Sequence, residues 1–182
     1  KYKSANTAAQ ETSRHIECKG FDIVLKAAEK IGKSVDFYII GGEPSAENKK
    51  YKETHNLSNI HFVDFLGKDE LREYYNAADL FVLMTRGDTW GLVINEAMAN
   101  GLPVITTKRC VAGVELIKDG ENGYIIDVDD TEALVNKVLT LRDNEKLCRR
   151  MSFANTNKMQ TNTVDNIVKG HIQVLEQFFD KK

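Results

Sequence analysis

A chain of 182 residues, 42% hydrophobic and 29% charged, has the composition of one ordinary globular domain. Its formal net charge of −2 lacks the basic excess of nucleic-acid binders, so we expect no nucleic-acid partner. The sequence has no run of about 18 apolar residues, which excludes a transmembrane helix from our expectations. Three widely spaced cysteines (Cys18, Cys110 and Cys148) and a polar N-terminus favour a cytoplasmic location.

Helical and strand patterns alternate along the chain from residue 21 onward. Apolar residues at helical spacing predict a helix over Phe21–Ile31, and a β-rich run predicts a strand over Val35–Ile40. The next predicted elements are a weak helix at 48–55, a strand at 60–63, a helix at 69–78 and a strand at 80–84. The last of these is a continuous apolar run, which is typical of a strand buried on both faces.

The same alternation continues to residue 126, with a helix at 90–99, a strand at 104–106, a short helical turn near Glu115 and a strand at 124–126. Strands and helices in this order predict an α/β fold, a Rossmann-like doubly wound parallel sheet followed by C-terminal helices. Ligands of such sheets bind outside the carboxyl ends of the strands. The functional edge is therefore expected in the loops after residues 40, 63, 84 and 107.

The two ends of the chain differ from this pattern. Residues 1–14 contain no apolar run, so we expect no strand there and interpret 1–12 as a leader or the remnant of an upstream segment. After Asp129 only helices are predicted, the first capped by Asp129 with Glu132 three positions later. A final helix carries an apolar stripe, which marks contact either with a further domain or with a second copy: Val164, Ile167, Val168, Ile172, Leu175 and Phe179.

The segment 87–105 concentrates the chemistry of the chain. Asp88 lies in a loop, Gly91 opens a helix, and Glu96 follows on that helix with seven residues between the two acids. A helix N-terminus presents unpaired N–H groups and a positive dipole end, both of which suit phosphate. Ionised carboxylates only accept hydrogen bonds, so the two acids suit hydroxyl groups better. The segment predicts a site for a phosphorylated sugar.

Taken together, these residues resemble the C-terminal, donor-binding domain of the retaining glycosyltransferases of family four, often called group 1, which have the GT-B fold. The resemblance rests on the Asp88 and Glu96 pair, embedded in Trp90-Gly91-Leu92-Val93 and in the run from Glu96 to Ile105, and on the loop and turn at 112–123. It covers residues 13–182 and implies a nucleotide-sugar-binding domain, one half of a GT-B fold. Asp88 stands where the family usually has a glutamate.

The resemblance also implies which residues meet the diphosphate of a nucleotide sugar. Arg14 and Lys19 correspond to the family's cationic clamp, and the amides of Gly91, Leu92 and Val93 would meet the distal phosphate. Fixed cations and a helix N-terminus stabilise the charge that develops on a departing nucleoside diphosphate. The resemblance therefore implies a metal-independent site with no cofactor.

The remaining implied roles concern the sugars and the base. Glu96 would hold the ribose hydroxyls and Asp88 would lie near the donor sugar, which gives no complete catalytic set in this chain. Phe65 and Leu66 resemble the family's base-contacting segment. The nucleotide base, the sugar and the acceptor are not specified by these residues.

The function implied is transfer of a sugar from a nucleoside-diphosphate sugar to an acceptor, in polysaccharide or glycoconjugate synthesis. The acceptor belongs to an N-terminal domain that we expect to be absent here, so this chain alone is predicted to be inactive. The resemblance leaves room for peripheral membrane contact through the full-length protein. Two alternatives stay open from the sequence: a GT-B-type sugar-nucleotide epimerase and a non-catalytic sugar-nucleotide-binding module.

Overall fold

A computed structural model describes residues 3–8 and 17–179. The strands in these residues are β1 (Lys3–Ala8), β2 (Val35–Ile40), β3 (Ile60–Val63), β4 (Leu80–Leu83), β5 (Val104–Thr107) and β6 (Gly123–Ile126). Within the described chain these six strands form one sheet in the order β3-β2-β1-β4-β5-β6. All neighbouring strands are parallel. The predicted doubly wound parallel sheet is confirmed.

Helices cover both faces of the sheet. They are α1 (Phe21–Ile31), α2 (Ala46–Thr54), α3 (Lys68–Ala77), α4 (Leu92–Ala99), α5 (Val111–Leu116), α6 (Thr131–Arg142), α7 (Glu145–Thr161) and α8 (Val164–Phe179). Apolar residues of α1 and α6 pack on one face of the sheet, and those of α3, α4 and α5 pack on the other. Because each face is covered, β4 is apolar and buried along its whole length.

The expectation that residues 1–14 supply no strand is wrong. Lys3–Ala8 forms β1, which pairs with β2 over six residues and with β4 on its other side. The segment Lys3–Ala8 is thus an inner strand of the sheet, and the interpretation of 1–12 as a leader or the remnant of an upstream segment stays a prediction. The sequence Lys-Ser-Ala-Asn-Thr-Ala has no apolar run and so gives no strand signal, whereas in the fold its backbone pairs with neighbours on both edges.

Most other predicted elements are confirmed, with shifts of at most two residues at their ends. The helix cap near residue 130 needs correction: Asp130, not Asp129, accepts the hydrogen bond of the Ala133 backbone N–H, at 2.8 Å. Asp129 instead has a left-handed backbone, with φ at 62°. The final helix is present as α8, and the described members of its apolar stripe are exposed.

The strands β1 and β4 are neighbours in the sheet but do not follow one another along the chain. From β1 the chain adds β2 and β3 on one side, and it then crosses back to add β4, β5 and β6 on the other side. In open α/β sheets, ligands bind at the carboxyl ends of the strands that flank such a switch point.

Among residues 3–8 and 17–179, every helix is too short or too polar to cross a membrane.

Candidate functional site

The segment that precedes α1 is fixed onto the carboxyl end of β4. Gly20 has φ at 71°, and a Cβ atom placed there would lie 1.9 Å from the carbonyl oxygen of Met84. The carbonyl of Cys18 accepts hydrogen bonds from the Arg86 backbone N–H (2.6 Å) and from the Thr85 hydroxyl (3.0 Å). This close approach requires glycine at position 20, and it brings Lys19 to the loop between β4 and α4.

Lys19 and Asp88 form an ion pair at the switch point. The Lys19 Nζ lies 2.7 Å from Asp88 Oδ2, and each side chain is only 10% exposed. Asp88 is held in turn by its backbone N–H, which donates to the Arg109 carbonyl at 3.1 Å, and by the Trp90 N–H, which donates to Oδ1 at 3.3 Å. A charge pair this well buried interacts more strongly than a surface pair, because water screens it less.

The first turn of α4 begins beside this pair. Gly91 caps the helix with φ at 92°, and a Cβ atom there would lie 2.7 Å from Cys110 Sγ and 3.7 Å from Asp88 Cγ. Leu92 is 69% exposed, so the start of the helix is open to solvent. Burial raises the pKa of the Cys110 thiol more than the hydrogen bond from the Gly113 backbone lowers it. The thiol beside Gly91 is therefore neutral.

Arg86 connects the loop after β4 to the first turn of α1 and to the loop before α6, at the same edge of the sheet. Its two terminal nitrogens donate to both oxygens of Asp22, at 2.9 and 2.8 Å, while Nε donates to Asp129 Oδ1 at 2.7 Å. Partial burial alone would raise the pKa of Asp22, but the hydrogen bonds and charge of Arg86, with Lys26, lower it. The cap predicted at Asp129 fails for this reason, since that carboxylate binds Arg86.

Glu96 lies on α4 and contacts a different element. Its Oε2 accepts a hydrogen bond from the Tyr75 hydroxyl of α3 at 3.0 Å, and Glu96 itself is exposed while Tyr75 is buried. Burial, followed by the charge and hydrogen bond of Glu96, raises the pKa of Tyr75 above its ordinary value. The two predicted carboxylates are thus held by unlike partners, one by an ammonium group and the other by a phenol.

The predicted base-contacting residues lie at the ends of β2 and β3. Phe65 is 50% exposed, and its ring lies so close to Gly42 that a Cβ atom at Gly42 would be 2.8 Å from Phe65 Cε2. Leu66 packs against the cluster formed by α3, α4 and α5. The absence of a side chain at Gly42 lets the accessible ring of Phe65 lie against its backbone. Gly42 follows β2, which is two strands away from β4 in the sheet.

The structure joins some of the predicted residues and leaves others apart. Lys19, Asp88 and Gly91 lie together, with Leu92 and Val93 in the helical turn that follows. Arg14 lies outside the described residues, and its contact with a diphosphate stays a prediction. The roles of Glu96, Phe65 and Leu66 also stay predictions.

Sequence reasoning missed the roles of two residues, Arg86 and Tyr75. Tyr75 lies in the helix predicted at 69–78, where its ring is buried and its hydroxyl donates to Glu96. Arg86 follows a buried strand and lies two positions before Asp88, and that place in the sequence was the available signal.

Comparison with known proteins identifies the family. Residues 12–144 match the family described as glycosyl transferases, group 1. The chain is 38% identical over 100 residues to N-acetyl-alpha-D-glucosaminyl L-malate synthase of Bacillus anthracis, which covers 52% of this chain and 26% of that enzyme. It is 29% identical over 140 residues to the lipopolysaccharide core biosynthesis glycosyltransferase LpsE of Rhizobium meliloti, covering 76% of this chain and 40% of the relative.

A solved structure shares the fold at lower identity. The Anabaena protein HepE, crystallised in complex with UDP and glucose, superposes with a TM-score of 0.82 at 19% identity, covering 98% of this chain and 48% of that one. In each comparison this chain spans less than half of the known protein. With its sheet, its switch-point site and its matched span of residues, the chain belongs to the group 1 glycosyltransferases.

Proposed function

We propose that this chain is the donor-binding half of a retaining glycosyltransferase. The complete enzyme transfers a sugar from a nucleoside-diphosphate sugar to an acceptor held by a further, N-terminal domain. The observation that carries the proposal is the pairing of Lys19 with Asp88 beside the start of α4, at the switch point of a sheet from this family. By itself this half binds the donor but does not transfer sugar.

The chemistry of the pair suits the departure of a nucleoside diphosphate. Cleavage of the bond between the sugar and the distal phosphate leaves negative charge on the phosphate oxygen. The Lys19 ammonium, once it is shared between Asp88 and the phosphate, and the positive end of the α4 dipole supply positive charge there, which lowers the energy of the transition state. These groups take the place of a metal ion, and binding is expected to be independent of divalent cations.

The two carboxylates divide the remaining contacts. Asp88 lies beside Gly91, whose amide is assigned to the distal phosphate, so Asp88 accepts hydrogen bonds from hydroxyl groups of the donor sugar, and Glu96 accepts them from the ribose. The exposed Phe65 ring and its neighbour Leu66 contact the base. UDP in the complex of the Anabaena protein supports a uridine nucleotide as the first candidate donor.

The wider role follows from the relatives. LpsE is named for lipopolysaccharide core biosynthesis, which supports polysaccharide or glycoconjugate assembly as the process that this protein serves, in the cytoplasm and with peripheral membrane contact through the complete protein. The relatives compared above carry transferase or synthase names, so the proposal keeps transfer and not epimerisation.

Calorimetric titration of the 182-residue chain with UDP, GDP and ADP, with and without EDTA, tests the proposal. We expect saturable binding of one nucleotide that EDTA leaves unchanged and that Glu96→Ala weakens by about tenfold. Glu73→Ala is the matched control, because it removes an exposed helical carboxylate from α3 and should leave binding unchanged. Absence of binding by all three nucleotides, or binding abolished by EDTA, would contradict the proposal.

A further inference from the structure

Tyr75 is a core residue whose polar end reaches the candidate site. Its ring is 3% exposed, lies in the cluster formed by α3, α4 and α5, and is tilted against Phe81 with 6.0 Å between ring centroids. Its hydroxyl donates to Glu96 Oε2 at 3.0 Å. A buried tyrosine hydroxyl requires a hydrogen-bond partner, and here that partner is an exposed carboxylate of the next helix.

The direction of this hydrogen bond is fixed by the environment of the phenol. Burial of the ring and the adjacent Glu96 charge both raise the pKa of Tyr75, so the hydroxyl keeps its proton and acts as the donor. An ionised carboxylate has two oxygens and about four acceptor positions. Tyr75 occupies one position on Oε2, and the other positions of this exposed side chain remain for donors that come from solvent.

A neutral donor prepares a carboxylate for a particular class of ligand. A lysine or arginine at this place would cancel the charge of Glu96, whereas a phenol restrains the side chain and leaves its charge intact. A restrained glutamate loses less rotamer entropy when it binds, so the ligand meets a smaller ordering cost. Adjacent hydroxyl groups are the donors that match two carboxylate oxygens, while a phosphate would be repelled.

We propose that Tyr75 is a positioning residue that holds Glu96 for a vicinal diol and so makes the site selective for ribonucleotides over 2′-deoxyribonucleotides. This inference rests on the function proposed above. It assigns the selectivity to a core residue of α3 that acts through Glu96 and does not itself touch the nucleotide.

Tyr75→Phe tests the inference, because it keeps the ring against Phe81 and removes only the hydroxyl. Two probes are titrated by calorimetry. The first is the nucleotide among UDP, GDP and ADP that binds the wild-type chain, and the second is the 2′-deoxy form of that nucleotide. We expect the wild-type chain to favour the ribonucleotide. Tyr75→Phe should lower the affinity for the ribonucleotide by about threefold to tenfold and leave the affinity for the 2′-deoxynucleotide unchanged. The preference for the ribonucleotide should therefore fall by the same factor.

Two further variants separate positioning from packing. Tyr74→Phe is the matched control: this neighbouring tyrosine packs edge-on against Tyr38, with 5.9 Å between ring centroids, and should keep the wild-type preference. In a Glu96→Ala background, Tyr75→Phe should have no further effect, because its action passes through that carboxylate. Thermal unfolding of each variant reports whether the fold is retained.

The outcomes distinguish this inference from the proposed function. Equal weakening of both nucleotides by Tyr75→Phe assigns the hydroxyl a packing role and overturns the inference, as does an unchanged preference. If Glu96→Ala removes the preference and Tyr75→Phe does not, the proposed function stands and only the role of Tyr75 falls. A wild-type chain that binds no ribonucleotide overturns both.

Discussion

The two carboxylates of the 87–105 segment are held in opposite ways. Asp88 faces an ammonium group in a nearly closed ion pair, with 10% of each side chain exposed, whereas Glu96 is exposed and accepts a hydrogen bond from a buried phenol. The cation best placed for a phosphate is therefore engaged by Asp88 in this structure. The acid suited to hydroxyl groups has an uncharged partner instead.

This difference separates two kinds of preorganisation. The Tyr75–Glu96 contact can persist when a ligand arrives, because the phenol occupies one of several acceptor positions. The Lys19–Asp88 contact must be shared or exchanged, because a phosphate and a carboxylate compete for the same ammonium protons. The phosphate side of the site should thus be the more sensitive to mutation, and substitutions there should change binding in both directions.

The largest expected effect lies in the segment that carries Lys19. Gly20→Ala places a Cβ atom 1.9 Å from the Met84 carbonyl oxygen at a positive φ, so α1 must move away from β4. We expect a loss of at least about 3 kcal/mol in the free energy of unfolding, measured by urea titration. Gly120→Ala is the control, because Gly120 has φ at 76° with nothing within 4 Å of an added Cβ atom. Equal losses for the two variants would mean that the close approach to β4 is unimportant.

Removal of the cation is expected to have the next largest effect. Lys19→Met deletes the ammonium group, and nucleoside diphosphate affinity should fall by about thirtyfold in calorimetry, since a charge-assisted contact to phosphate is lost. Lys26→Met removes an exposed lysine of α1 and should have little effect on binding. Comparable losses for the two lysines would show that Lys19 acts only through the net charge of the chain.

The contrast between the two acids also shows how far the sequence predicts this molecule. The doubly wound sheet and its carboxyl edge were predicted, because periodicity and loop position are local signals. Asp88 and Gly91 were named from the loop and the helix start that they occupy, whereas Lys19 was named only from the resemblance to group 1 glycosyltransferases, and the roles of all three stay predictions. The strand β1 was not predicted, because Lys3–Ala8 is specified by pairing with β2 and β4 and not by its own residues. The Tyr75–Glu96 and Arg86–Asp22 contacts were missed because their residues lie 21 and 64 positions apart in the sequence, and only the folded chain brings them together.

Competition for Lys19 predicts a gain of affinity when Asp88 is neutralised. Asp88→Asn should tighten binding of the nucleoside diphosphate by about threefold to tenfold, because the ammonium group no longer has to leave a carboxylate. The same variant should weaken the preference for a nucleotide sugar over the free diphosphate. Asp69→Asn, at an exposed position of α3, should change neither.

A double-mutant cycle decides between competition and simple repulsion by Asp88. If Asp88 acts by holding Lys19, Asp88→Asn should give no gain in a Lys19→Met background. If Asp88 only repels the phosphate, the gain should persist or grow without the lysine. Competition is refuted by a gain of the same size in both backgrounds.

The smallest expected effect concerns the contact between Arg86 and Asp22, which lies close in sequence to both members of the Lys19–Asp88 ion pair. Burial opposes ionisation of Asp22, but Arg86 and Lys26 lower its folded-state pKa below the ordinary 3.8. A carboxyl whose pKa is lowered by folding stabilises the fold above its unfolded pKa, and that contribution is lost as pH falls through the folded value. Because Asp22 is 38% exposed, screening limits the contribution to about 0.5–1 kcal/mol.

Asp22→Asn should lower the free energy of unfolding by this amount near neutral pH. The free energies of the variant and of the wild-type chain should converge as pH falls below the folded pKa. A constant difference across that pH range would show that the contribution of Asp22 is not electrostatic, and the Arg86 contact would then be a matter of shape alone.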